Sequence, residues 1–116
     1  MRLIFAGLAA LVLSPALAFA DDDIMAADYG NTVITTGKGH EVHTYYNFDG
    51  TFTGKVIGMS IVLKGTWKVD GGNLCMVYTP PPPTVKNPVC VPAVARQVGD
   101  TWTYDGRTVT LVQGIQ

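Results

Sequence analysis

The stretch Tyr45–Cys75 reads YYNFDGTFTGKVIGMSIVLKGTWKVDGGNLC and decides the fold of this chain. Apolar and polar residues alternate along its second half, which is typical of a half-buried β-strand. The positions assigned to the inner face of that strand are Ile61, Leu63, Gly65, Trp67 and Val69. Asp-Gly pairs before and after the alternation mark turns. The stretch therefore predicts the centre of a small antiparallel sheet.

The turn Asn47–Gly50 has Asn first and Gly fourth, which favours a type I turn followed by a glycine bulge. With this loop we expect Tyr46 to face Thr51 and Tyr45 to face Phe52. That register would put Tyr45 and Phe52 on the core face and Tyr46 on a threonine-rich outer face.

The rest of the chain carries short strand signals separated by Gly, Pro, Asn and Asp. Trp102 and Tyr104 lead into an Asp105-Gly106 turn, and a two-residue loop there puts them on one face with Arg107, Val109 and Leu111. Other strands are expected over these segments: Thr32–Thr36, Glu41–Tyr46, Leu74–Tyr78 and Ala93–Gln97. The fold class predicted is all-β, a small antiparallel barrel or sandwich of about seven to eight strands with a short N-terminal helical turn.

The chain begins with a basic start, an apolar run and an Ala18-Phe19-Ala20 site, which together indicate a secretory signal peptide over residues 1–20. The apolar run is shorter than the ~20 residues that cross a bilayer, so we expect cleavage and no membrane insertion afterwards. Residues 21–116 are then a single β-domain with a periplasmic or secreted location. Between Leu74–Tyr78 and the later strands, Pro80–Pro83 predicts a stiff, exposed connector.

Cys75 and Cys90 are the two cysteines of the chain. An even pair in a small exported domain indicates a disulfide, worth ~3 kcal/mol in the chain-entropy description. The spacing matches neither a C-x-x-C redox pair nor a metal-binding set.

Charge excludes some classes of partner. Lys and Arg total 8 and Asp and Glu total 9, and loss of Arg2 with the signal peptide leaves a net charge of about −2. A weak, mixed charge argues against nucleic acid or an anionic membrane surface as partner.

Several motifs carry a resemblance. Asp49-Gly50-Thr51-Phe52-Thr53-Gly54, then Gly65-Thr66-Trp67-Lys68-Val69, and Leu74-Cys75 resemble small secreted β-domain proteins of unknown function from proteobacteria. The resemblance implies a periplasmic β-domain without an assigned activity. Gly65-Thr66-Trp67 is also similar to the G-x-W of lipocalins, although it lies in the middle of the chain here, so this likeness is one of architecture.

No residue pattern indicates catalysis, a cofactor or a metal site, and we expect a protein that is not an enzyme. His40 and His43 are three apart, so on a strand they point to opposite faces and are badly arranged to bind one ion. A metal site there would need remote Asp residues to join them. Ser60 lacks a nucleophile-elbow context. The acidic residues other than Glu41 that could pair for glycoside chemistry lie in or beside turns: Asp49, Asp70, Asp100 and Asp105.

The aromatic residues are the remaining candidates for binding. The set comprises Tyr45, Tyr46, Phe52, Trp67, Trp102 and Tyr104. Two functions remain open. The first is an interaction or inhibitor-type module whose outer face or proline loop binds another envelope protein. The second is a carrier that holds a small apolar ligand inside the barrel.

Overall fold

The computed structural model describes residues 24–116, which form one antiparallel sheet of 8 strands in the order β6-β5-β4-β3-β2-β1-β8-β7. The strands are β1 Thr32–Gly37, β2 His40–Tyr46, β3 Thr51–Val56, β4 Ile61–Asp70, β5 Asn73–Tyr78, β6 Val89–Pro92, β7 Thr101–Tyr104 and β8 Arg107–Val112. A 3-10 turn, Ala26–Asp28, precedes them. The all-β prediction is confirmed. The predicted signal peptide and Asp21–Asp23 lie outside the described residues.

The sheet curls into a half-barrel, which stays open because its edge strands β6 and β7 do not pair with each other. Residues 93–100 join these two edges and therefore cross the opening between them. The amide of Ala93 donates to the Gly72 carbonyl at one end, and the amide of Gly99 donates to the Leu111 carbonyl at the other. The predicted strand Ala93–Gln97 is wrong, since this segment has no strand partner and covers the opening instead.

Tight turns set the register of most hairpins. In the β7–β8 hairpin, Asp105 and Gly106 have φ of 51° and 74°, the positive values that a two-residue type I′ turn requires. Tyr104 therefore faces Arg107 and Trp102 faces Val109, as the sequence predicts.

The register predicted for the β2–β3 hairpin is wrong by one residue. The type I turn with its bulge does form, since the amide of Gly50 donates to the Asn47 carbonyl at 3.1 Å. However, Asn47 itself pairs with Thr51, its amide donating to the Thr51 carbonyl at 2.9 Å. Tyr46 consequently faces Phe52, and Tyr45 faces Thr53.

That shift decides which residues form the core. Tyr46 is buried on the inner face with Phe52, whereas Tyr45 lies on the outer face, the reverse of the expectation for the two tyrosines. The buried apolar cluster consists of Met25, Val33, Tyr46, Phe52, Leu74, Met76, Val109 and Leu111. Met25 comes from the segment before β1, so the N-terminal turn packs against the inner face of the curl.

The disulfide between Cys75 and Cys90 is present, which confirms the prediction. The two residues lie directly opposite each other on β5 and β6, with Cα atoms 4.0 Å apart. Because Leu74 and Met76 point to the core, the intervening Cys75 points outward. The disulfide thus fastens the edge strand β6 to the sheet from its outer side.

Candidate functional site

Three of the candidate aromatic residues meet on the inner face. The ring of Tyr46 contacts Phe52 at a centroid distance of 6.4 Å and Trp67 at 6.2 Å, the second pair edge to face. Phe52 in turn meets Tyr78 edge to face at 5.1 Å. Edge-to-face rings at such distances are typical of aromatic packing in cores. Tyr78, the last residue of β5, was not among the aromatic candidates proposed from the sequence.

Polar groups of this cluster are satisfied within the protein. The Tyr46 hydroxyl donates to the Met76 sulfur at 3.4 Å, and the Trp67 indole N–H donates to the Asn47 carbonyl at 3.0 Å. Phe52 is 1% exposed. The face that the carrier hypothesis assigns to an apolar ligand is therefore packed at these positions by the chain's own side chains.

A carboxyl group lies at the edge of the aromatic cluster. Burial raises the pKa of Asp28 to about 6, against the opposing attraction of the Arg96 guanidinium. Burial also raises the pKa of the Tyr46 hydroxyl, and the charges of Tyr78 and Asp28 add to the effect. Tyr46 is therefore a neutral hydrogen-bond donor at physiological pH.

The other three candidate aromatic residues lie apart from this cluster. Trp102 packs against the core at the opposite edge, under the Arg96 guanidinium at 4.0 Å from the ring centroid. Tyr104 is 44% exposed on the edge strand β7. Tyr45 lies on the outer face, where its hydroxyl donates to the main-chain oxygen of Gln116 at 2.7 Å. The six aromatic residues do not form one site, and ligand binding by them stays a prediction.

The histidines lie on opposite faces of β2, as expected from their spacing. The Nε2 atom of His43 lies 2.7 Å from the Glu41 carboxylate, and its Nδ1 lies 3.3 Å from the Gln116 oxygen. His40 is exposed at the far end of the strand. Within residues 24–116, no group of three or more His, Cys, Asp or Glu side chains is placed to hold a metal ion.

The turn carboxylates have the structural roles that their positions indicate. Asp49 accepts hydrogen bonds from the amide and the hydroxyl of Thr51, and these bonds hold the pKa of its carboxyl below the usual range. Asp100 accepts from the Gln97 amide, and Asp105 pairs with Arg107 at 3.0 Å. These carboxylates stabilise turns.

An open groove lies on the sheet where β4 continues past the end of β5. Of β4, only Gly65–Asp70 pairs with β5. The earlier part, Ile61–Lys64, is flanked instead by Thr79–Pro83, and the two segments line a groove of about 580 Å³. We call this the proline groove.

The proline groove is bordered by exposed apolar side chains. Val62 is 77% exposed and Ile61 is 41% exposed. The turn before them adds Ile57, exposed by 41%, and Met59, exposed by 50%. Exposed apolar residues gathered at one end of a hairpin mark an interaction surface more often than scattered ones do.

Two lysines flank Val62 on the outer face. Lys55 lies directly opposite Val62 on β3, and Lys64 follows two residues later on the same face of β4. Neither lysine belongs to any ion pair among the described residues, whereas Lys68 further along β4 lies 4.0 Å from Asp70. The groove therefore combines an apolar surface with unpaired positive charge.

A second shallow hollow lies on the outer face beside the disulfide. It is lined by Thr66, Trp67, Lys68, Asp70, Cys75, Val77, Asn87 and Pro88. The Asn87 side chain pairs with both main-chain groups of Tyr78, accepting from its amide at 2.9 Å and donating to its carbonyl at 2.8 Å. Asn87 thus occupies the main-chain groups at the end of β5, so this side of the hollow has a structural role.

The sequence patterns did not indicate the proline groove, although the proline run was expected to be exposed. The groove depends on how far β4 extends past the end of β5, which is decided by the register between the two strands as well as by their predicted limits. The signal that was available is Val62, an apolar residue on the outer face of an otherwise alternating strand.

Comparison with protein families, with curated proteins and with solved structures found no match to this chain. In the part of the chain that the structure describes, no helix is long and apolar enough to cross a membrane.

Proposed function

We propose that the chain is an exported, non-catalytic interaction module that binds another protein of the cell envelope, either as a partner or as an inhibitor of an incoming enzyme. The proline groove carries this proposal. It places Ile61 and Val62, which are exposed on opposite faces of β4, beside the proline run, and covering large apolar side chains of such exposure is favourable.

The location follows the signal-peptide pattern and the disulfide. Disulfides persist in oxidising compartments such as the periplasm. The Cys75–Cys90 bond supports such a compartment. Periplasmic or secreted export remains part of the proposal.

The carrier hypothesis has less support, because the inner face is filled by Phe52, Tyr46 and Leu111. A ligand there would have to displace core side chains. The proline groove, along the edge of β4, needs no such rearrangement.

Site-specific photo-cross-linking in intact cells tests the proposal. A photoreactive amino acid replaces Val62 in one strain, and in a control strain it replaces Val94, which is 49% exposed on the segment across the barrel opening. We expect a discrete envelope protein to be cross-linked from position 62 and not from position 94. Equal products from both positions, or none from either, would contradict the proposal.

A further inference from the structure

We infer that the proline groove binds its partner as an added β-strand beside Val62, and that this partner segment is extended and acidic. The inference rests on the proposed function and names the chemistry of the partner. It follows from the main-chain geometry of β4, from the prolines opposite it and from the lysines beside it.

The main chain of Val62 points into the groove without a strand partner. The amide of Thr79 donates to the Lys64 carbonyl at 2.9 Å, so residue 64 turns its main-chain groups toward the β5 side. Residues two apart on a strand point the same way, hence Val62 does so too. No main-chain hydrogen bond joins Val62 to the proline run in the described residues.

The chain's own sequence keeps this position open. If the register of β4 with β5 continued beyond Thr79, Pro81 would face Val62. Proline has no N–H to donate, so it cannot complete the ladder. Val62 therefore offers unpaired main-chain groups beside an apolar surface, whereas the Lys64 carbonyl is already bonded to Thr79. β-Strand addition uses such groups, with main-chain hydrogen bonds giving affinity and alternate side chains giving specificity.

The side chains around the edge specify what an added strand must carry. On the inner side it would meet Ile61 and Leu63, which favours apolar residues. On the outer side, its side chain opposite Val62 would be diagonal to Lys64 of the same strand, β4. Lys55 lies on the far side of Val62, on β3. Neither lysine forms an ion pair with a carboxylate of residues 24–116, so acidic residues at the outer positions of the added strand complement them.

The partner segment is therefore extended, with apolar residues alternating with Asp or Glu. A second copy of this chain is a poorer match, because the edge it would offer carries lysine rather than a carboxylate at the corresponding place. We therefore expect the groove to bind an acidic strand from a different protein.

Peptide titrations followed by NMR test the inference on the folded, disulfide-bonded protein. The probe is an eight-residue peptide of alternating valine and glutamate with blocked ends. One control peptide has lysine in place of glutamate, and another is N-methylated on the main-chain edge that would pair with β4. We expect the glutamate peptide to shift the amide signals of Val62 and Lys64, and to bind at least about tenfold more tightly than either control.

Protein variants separate charge recognition from general attraction. In the Lys55→Glu/Lys64→Glu variant we expect the preference to reverse toward the lysine peptide. Lys68→Glu is the matched control, because this residue lies on the same face of the same strand but is paired with Asp70. It should leave the preference unchanged.

Several results would overturn the inference. They are equal binding of the glutamate and lysine peptides, undiminished binding of the N-methylated peptide, and signal shifts that map away from β4. Self-association that is lost in Val62→Glu would also overturn it, by showing that a second copy occupies the groove. If cross-linking from position 62 captures an envelope protein while the peptides fail, strand addition is wrong and the proposed function stands.

Discussion

Tyr46 lies directly opposite Phe52 across the β2–β3 hairpin, and both side chains are buried on the inner face of the sheet. Their neighbours Tyr45 and Thr53 also face each other, on the outer side. Since side chains alternate along a strand, this pairing fixes the faces of the whole hairpin. It places Lys55 outward beside Val62, so the charge at the proline groove depends on it.

The two adjacent tyrosines should differ in their contribution to stability. We expect Tyr46→Ala to lower the free energy of unfolding by about 3–5 kcal/mol, because it leaves a cavity between Phe52 and Trp67. Tyr45→Ala should cost about 1 kcal/mol, mainly through the lost hydrogen bond to Gln116. Denaturant unfolding measures both. A larger loss for Tyr45 would mean that the register is wrong.

Gly65 should not tolerate a side chain. A Cβ atom there would collide with the Val77 carbonyl oxygen and lie 2.9 Å from Cε2 of Phe52. The main chain of β4 would have to move, so we expect Gly65→Ala to cost about 2–3 kcal/mol in unfolding free energy. Thr66→Ala, at the next residue and exposed, is the control and should change it by less than about 1 kcal/mol.

The disulfide should supply a large part of the stability of so small a domain. Cys75 and Cys90 are separated by 15 residues, and closing such a loop is worth about 3 kcal/mol. We expect the Cys75→Ala/Cys90→Ala variant to lose that amount in denaturant unfolding. A reducing agent should lower the stability of the natural protein equally and leave the double variant unaffected. A double variant as stable as the natural protein would refute this role.

Asp28 should make stability fall as pH rises between about 4 and 6. Its pKa is raised from 3.8 to about 6 in the folded protein, so the folded state holds the proton more tightly than the unfolded chain does. The stabilisation is complete below the unfolded value and is lost as pH rises through the folded one. Because the residue is partly exposed, we expect a loss of about 1–2 kcal/mol.

The Asp28→Asn variant isolates this effect. Denaturant unfolding at pH 4, 5, 6 and 7 is compared for the natural protein and the variant, so that the other carboxyl groups cancel in the difference. We expect the variant to gain stability relative to the natural protein across this range. A difference that does not change with pH would contradict the assignment.

Local sequence patterns predicted the strand register correctly where a tight turn determines it, as in the β7–β8 hairpin. Asp105-Gly106 accepts one compact turn geometry, so the placement of Trp102 and Tyr104 followed from it. The bulged turn at Asn47–Gly50 was identified, but the three-residue loop of such a turn is Phe48–Gly50, so Asn47 and not Tyr46 is the residue opposite Thr51. A slip of one residue exchanged the roles of Tyr45 and Tyr46.

Features that depend on distant pairing were beyond local patterns. The alternation in Ala93–Gln97 looks like a strand, yet this segment spans the opening between β6 and β7, where no strand can pair with it. The proline groove likewise exists only because β5 ends at Tyr78 while β4 extends beyond it. The limits of both strands were predicted, since the proline run ends β5 at Tyr78, but how far β4 extends past that end depends on the register between the strands, which local patterns do not give.

Photo-cross-linking from the groove in living cells tests the central claim most directly, namely that the proline groove is a binding surface for another protein. The yield of the same cross-linked species is compared at Val62 and Ile57 in the groove region, and at Val94 and Ile115, which are exposed elsewhere. We predict a shared product at the first two positions that is lost when Lys55→Glu/Lys64→Glu is introduced. The same product at all four positions, or none at Val62, would contradict the account.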